Sequence, residues 1–256
     1  MQHQTIIFEH PLNERVRNFL RLELLFQQAG HFLEGETIWD SRHLVTTLMD
    51  VLELFGRMDL KTEIIKELER YATSLTALAE RPGVDHGRLD AILERLHELS
   101  NRLHSTAGQP GQELQEDPLL AAIRQRSAIP GGTCAFDLPL YHHWLHRPLP
   151  ERLETQQAWY ATLDPVRESV ELLLRLLRNS AEPSLELAEG GALQRNLDPA
   201  TPFQLLRVIL PADSPYFAEV SGGRHRFTIR FLAPQDGGRP APAEEDIRFQ
   251  LTCCAL

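Results

Sequence analysis

Arginine at alternate positions is the pattern in this sequence with the clearest chemical content. Residues Gly223 to Phe231 read GRHRFTIRF. In an extended strand successive side chains project to opposite faces, so Phe227, Ile229 and Phe231 share one face while Arg224, Arg226, Thr228 and Arg230 share the other. Like charges close together on a sheet repel, and a solvated strand normally mixes signs. A cationic row in a chain of formal net charge -10 points to a site for an anionic partner. Near the C-terminus, Arg248, Gln250 and Thr252 alternate with Ile247, Phe249 and Leu251 in the same way. Pairing of that strand with Arg226 to Phe231 would let Arg248 extend the cationic face. The alternative is structural: the same arginines could pair with Glu244, Glu245 and Asp246.

Other candidates carry weaker chemistry. Asn13, Arg17 and Arg21 recur every four residues and share one side of a helix, with Glu14 compensating the charge in part. Arg57 follows an apolar run at a helix end, where a cation also interacts favourably with the helix dipole. His142 and His146 are an i,i+4 pair, but HHWLH lacks the glutamate of the HExxH zinc pattern, and no third ligand is placed by the sequence. There is no GxSxG elbow, phosphate-binding loop, dinucleotide fingerprint or nucleophile and base pair. Cys134 stands alone and Cys253 and Cys254 are adjacent, a spacing suited to neither a good disulfide nor a zinc site. A pI near 5.6 argues against general nucleic-acid binding. The N-terminal segment lacks the pattern of a secretory signal, and no apolar run is long enough to span a bilayer, so a cytosolic address is the default.

These residues must be positioned by two kinds of element. Thr5 to Phe8 reads as a strand, and Pro11 suits the first turn of a helix over Leu12 to Ala29. A second helix is expected over Ser41 to Gly56. Ile64, Leu68, Tyr71, Leu75 and Leu78, then Leu89, Ile92, Leu96, Leu99 and Leu103, form two heptad-like seams. Between them Arg81 to Gly87 supplies a turn with Asp85 as an N-cap, giving an antiparallel helical hairpin; self-association through one seam is the alternative. Further helices are expected over Leu114 to Ser127, Tyr141 to His146, Glu151 to Thr162 and Pro165 to Asn179. Beyond Pro183, strands are expected at Leu205 to Leu210, Tyr216 to Val220, Arg226 to Phe231 and Ile247 to Cys253, with Pro234 to Ala243 a mobile connection. The fold class is α+β, with a mainly helical domain over 1–182 and a mainly antiparallel β domain over 183–256, which the strand at 4–8 joins.

Three segments carry a resemblance. FEHPLNERVRNFLRLE (Phe8 to Glu23), LLAAIRQRSAIPGGTCAFDLPLYHHWLH (Leu119 to His146) and SGGRHRFTIRF (Ser221 to Phe231) closely resemble the ZapD family of bacterial cell-division proteins, in order over nearly the whole chain. The resemblance implies a cytoplasmic, dimeric, non-enzymatic protein that needs no cofactor or metal and does not insert into the membrane. Such proteins bind the C-terminal tail of FtsZ, the tubulin-like division GTPase, and cross-link its filaments at the midcell division ring. The family's tail-binding arginines fall on Arg57, Arg226 and Arg230, which places Arg226 and Arg230 above Arg224. Other charged positions implicated in bundling fall on Arg21 and His142. One basic family position is occupied here by Pro118, which cannot supply the charge. Two further readings compete: a nucleic-acid-binding protein using the cationic sheet face, and a metal hydrolase built around His142 and His146.

Overall fold

A computed structural model describes residues 4–56, 59–77, 79, 83–106 and 108–256. Strand β1 (Thr5–Pro11) precedes the helices α1 (Glu14–Leu33), α2 (Ile38–Gly56), α3 (Leu60–Thr76), α4 (His86–Ser105), α5 (Gln112–Glu116), α6 (Pro118–Ser127), α7 (Pro139–Leu145), α8 (Leu149–Ala161) and α9 (Asp164–Arg178). Strands β2 (Ser184–Ala188), β3 (Ala192–Asn196), β4 (Phe203–Pro211), β5 (Phe217–Gly222), β6 (Arg226–Ala233), β7 (Ala241–Pro242) and β8 (Ile247–Ala255) follow. The fold is α+β, with β1 joining the C-terminal strands. Two compact units are present, one comprising the chain up to Asn18 with Leu174–Leu256, the other Phe19–Leu173. The division falls inside α1 and α9. Among the described residues no helix is long and apolar enough to cross a membrane.

In the helical unit, α3 and α4 form the intrachain hairpin. Ile64, Leu68 and Tyr71 are buried, as are Leu89, Leu96, Leu99 and Leu103. Lys61 at the start of α3 donates to the Thr106 carbonyl beyond the end of α4 at 2.7 Å, which fixes the antiparallel sense. Asp85 caps α4 by accepting from the Arg88 amide at 3.0 Å. Leu78, Arg81 and Pro82 lie outside the described residues. The single helix expected over Leu114 to Ser127 is two. Asp117 breaks it and caps α6, accepting from the Leu119 and Leu120 amides at 2.9 Å each, while Pro118 takes the first helical position, where a missing N–H costs nothing.

The other unit is a β-sandwich. One sheet has the order β1-β4-β8-β2 and the second β3-β6-β5, with β7 also paired to β6; every pairing is antiparallel. Phe227, Ile229 and Phe231 of β6 meet Ile247, Phe249 and Leu251 of β8 and Leu206, Val208 and Leu210 of β4 in one apolar core. Each large apolar side chain so buried contributes roughly 1.5–3 kcal/mol. Pro11 ends β1 opposite Leu205 instead of starting α1; on an edge strand its missing N–H breaks no ladder. The α1 cap is Asn13, whose Oδ1 accepts from the Val16 amide at 2.8 Å, so its spacing from Arg17 reflects a helix start.

Two expectations for the strands change. The β2–β3 hairpin was not read from the sequence, and turns at Gly190 and Gly191, both with positive φ (55° and 74°). Strand β8 lies between β4 and β2, not beside β6, so Arg248 stands opposite Leu187 in the other sheet and does not extend the cationic row. The connection after β6 is held at its far end, where the Ala243 amide donates to the Phe231 carbonyl at 2.9 Å.

Candidate functional site

Burial of Phe227, Ile229 and Phe231 fixes the register of β6 and forces Arg226 and Arg230 outward, since a one-residue slip would put arginine into the core. The neighbours on that outer face are set by pairing. Asn196 lies opposite Arg226, Gln194 and Ser221 flank Thr228, and Ala192 and Glu219 flank Arg230. Glu219 is thus the one acid directly across from the row. Among the described residues Arg224, Arg226 and Arg230 form no salt bridge. Two of the three acids that follow in the sequence have other partners: Glu245 accepts from the Tyr216 hydroxyl at 2.9 Å and Asp246 from the Gly190 amide at 2.9 Å.

The turn joining β5 and β6 opens a groove of about 520 Å³, lined by Gln194, Ser221, Gly222, Arg224, His225 and Arg226 among others. A side chain at Gly222 would meet the Phe227 Cβ at 2.7 Å, so only glycine lets the two strands approach there. Within the turn the Gly223 amide donates to the Arg226 carbonyl at 3.0 Å; from the β3 side the Leu197 amide donates to the His225 carbonyl at 2.8 Å. Arg230 lies four residues beyond Arg226, about 13 Å along a strand, a span matched by a short extended peptide.

Sequence reasoning passed over His10. On β1 it shares a face with Phe8, which packs on the sandwich core, and its ring is half-buried near the Gly222 backbone. Burial lowers the imidazole pKa, the nearby Gly222 backbone opposes that shift, and the Arg17 cation adds to the lowering. A base whose pKa falls on folding binds fewer protons in the native state than in the unfolded chain. Its contribution is therefore complete above the ordinary imidazole value of about 6.5 and is lost as pH falls below it. Thermal unfolding of the sandwich is expected to lose less stability between pH 7 and 5 in His10→Asn than in the unchanged protein; equal slopes would refute this. The legible signal was the alternation Ile6, Phe8, His10.

The remaining candidates belong to the helical unit or lie outside the described residues. Arg57 lies outside the described residues. Arg21 is exposed on α1 and His142 is exposed on α7, both in the helical unit. His142 packs against His146 with ring centroids 4.3 Å apart and planes tilted by 50°, and the His146 Nδ1 contacts the His142 carbonyl at 2.8 Å. Among the described residues no three His, Cys, Asp or Glu side chains are grouped to hold a metal. Cys134, Cys253 and Cys254 are free, and burial pushes the Cys254 thiol up to about 11, which keeps it protonated.

Comparison with known proteins gives a consistent result. The ZapD family model, described as a cell division protein, matches residues 20–230. A cell division protein ZapD from Methylococcus capsulatus is 45% identical over 251 residues, 98% of each chain. One from an Azoarcus species is 39% identical over 98% of this chain and 100% of its own, and one from Aromatoleum aromaticum is 39% identical over the full length of both. With identity at this level along the whole sequence, the chain belongs to the ZapD family of cell division proteins.

Proposed function

We propose that this protein binds the C-terminal tail of FtsZ on the outer face of β6 and, as a dimer, cross-links FtsZ filaments into bundles that stabilise the cytoplasmic division ring at midcell. The observation that carries the reading is the exposed row Arg224, Arg226 and Arg230, free of salt bridges among the described residues while Glu245 and Asp246 have other partners. A tail mixing carboxylates with apolar residues would set its acids against Arg226 and Arg230. The groove at the β5–β6 turn would take adjoining residues, with backbone contacts setting direction. Arg57, Arg21 and His142 are further contact positions in this reading, and no step is catalytic.

Exposed ion pairs contribute about 0.2–1 kcal/mol each, so a single tail is held modestly. Two sites per dimer, repeated along paired filaments, raise the overall avidity by roughly two to four orders of magnitude. The contacts are open to solvent and screened by salt, whose Debye length shrinks from about 10 Å at 0.1 M to about 3 Å at 1 M. Titration of a fluorescent FtsZ tail peptide is expected to show affinity falling by roughly tenfold between those salt concentrations, the equivalent of a few such pairs. Full affinity in molar salt would overturn the site. Competition by unlabelled oligonucleotide in the same titration would favour the nucleic-acid reading. Against that reading, Phe227 in the groove lining is 1% exposed and cannot stack on a base, which leaves the His225 imidazole as the one exposed ring there among the described residues.

A further inference from the structure

The groove at the β5–β6 turn is lined by hydrogen-bond donors. Its polar side chains are Gln194, Ser221, Arg224, His225, Arg226 and Thr228, and no carboxylate is among them. That is a selective lining in a chain with 36 Asp and Glu against 26 Lys and Arg. None of these side chains makes a hydrogen bond among the described residues, so their donors are uncommitted. Glu219, the acid directly across from the row, faces Arg230, four residues or about 13 Å along the strand from Arg226. Phe227, the one large apolar side chain in the lining, is buried, so the groove offers no apolar anchor. The turn is also held in place without a ligand. The Gly223 amide donates to the Arg226 carbonyl at 3.0 Å and the Leu197 amide to the His225 carbonyl at 2.8 Å. Its volume, about 520 Å³, is that of a small-molecule site.

We infer that this groove binds the phosphate chain of a small polyanion, inorganic triphosphate or the triphosphate group of a nucleotide, and that such an anion competes with the FtsZ tail for Arg224 and Arg226. The competition rests on the tail-capture reading above; the anion site does not. A guanidinium is a planar fork of donors that meets two oxygens of one phosphate at once. Arg224 and Arg226 stand on either side of His225 in the chain, and Gln194, Ser221 and Thr228 add neutral donors around them. A carboxylate carries one charge and satisfies one fork. A triphosphate gathers several charges and many acceptor oxygens in one short chain, and so engages both. A nucleic-acid strand has the same oxygens but one charge per phosphate, strung along its backbone, and concentrates less charge in the groove. Because the lining holds no apolar anchor, the phosphates are the recognised group and the identity of an attached base matters little. Arrangement of the donors before binding limits the ordering that a ligand must bring about.

The test titrates inorganic triphosphate into the full chain, with ionic strength held constant by sodium chloride, and follows the amide shifts of Leu197, Gly222 and Gly223. A saturable response confined to this turn is expected. Arg224→Gln and Arg226→Gln should each weaken it about fivefold, the size of one exposed ion pair, while Arg248→Gln in the other sheet leaves it unchanged. Linear shifts spread over the surface, or equal binding by all the variants, overturn the site. Adenosine and guanosine triphosphates should bind as the inorganic probe does. A clear preference for one of them means that the base is read, and overturns recognition through phosphate alone. An oligonucleotide at the same phosphate concentration should bind more weakly; tighter binding replaces the small anion with a nucleic acid. In a parallel titration with the fluorescent tail peptide, triphosphate should displace the peptide further than sodium chloride does at equal ionic strength. Saturable shifts without displacement overturn the competition. Failure of the unchanged protein to bind the peptide overturns tail capture itself, while the amide shifts still decide the anion site.

Discussion

Arg226→Glu and Arg230→Glu are each expected to abolish co-sedimentation with FtsZ bundles while leaving the protein folded. Each reversal removes an attraction of about 0.2–1 kcal/mol and replaces it with a repulsion of similar size against the tail acids. For one tail the loss is therefore roughly tenfold. Bundling amplifies it, because avidity multiplies weak contacts and a cross-link needs both sites occupied at once. A tenfold loss at each of two sites is about a hundredfold loss per cross-link. Folding should be spared: both side chains are solvent-exposed and form no salt bridge among the described residues, and surface substitutions of that kind usually change stability by less than about 0.5 kcal/mol. Arg230→Glu also sets an acid opposite Glu219, a small added cost. Sedimentation with polymerised FtsZ, beside thermal melts of each variant, decides the matter. Unchanged bundling by both variants would sink the site, and Arg248→Glu, in the other sheet, should bundle normally.

The strand that carries the site was legible because two independent constraints agreed on it. Alternation assigned Phe227, Ile229 and Phe231 inward, and the core they enter is the reason the arginines face out. The helical hairpin was legible for a similar reason, since both seams keep helical spacing over several turns. Pairing partners were not legible. Arg226 to Phe231 and Ile247 to Cys253 have the same alternating pattern, and nothing local in either says that β4 and β2 intervene. Alternation fixes which face is buried and leaves open which sheet the face belongs to, which is why Arg248 was misplaced.

Short elements escaped for a different reason. In β2 and β3 the inward positions are few and the exposed ones include Leu185 and Leu187, so the polar and apolar sides are not separated as they are in β6. The break at Asp117 was visible as an Asp-Pro pair, but the apolar period of Leu114 to Ser127 continues across it. Capping and the missing proline N–H outweigh periodicity there. His10 was hidden by its setting in an apparently simple edge strand. Its surroundings include Gly222, more than two hundred positions away, and no local pattern reports such a neighbour.

Glu9 is the residue on which the attachment of β1 to the sandwich turns. Its carboxylate accepts from the Arg178 Nε and Nη2 at 2.9 and 2.8 Å and from the Arg207 Nε at 2.9 Å, with all three side chains about one-fifth exposed. Glu9→Ala leaves two neighbouring guanidinium groups without their shared anion and adds their mutual repulsion. Removing one partner from a largely desolvated ion pair costs about 3 kcal/mol, which for a unit of this size corresponds to a fall on the order of 10 °C in melting temperature. The rest of β1 offers little reserve: it is an edge strand, and Ile6 and Ile7 are 46% and 43% exposed. Glu9→Ala is thus expected to loosen β1 and destabilise the sandwich, whereas Glu9→Gln, which can still accept from one guanidinium, should lie between. The three tryptophans, Trp39, Trp144 and Trp159, all lie in the helical unit, so the sandwich must be followed by amide exchange in β1 and β4. Protection there equal to that of the unchanged protein would show that the ladder to β4 alone holds the strand.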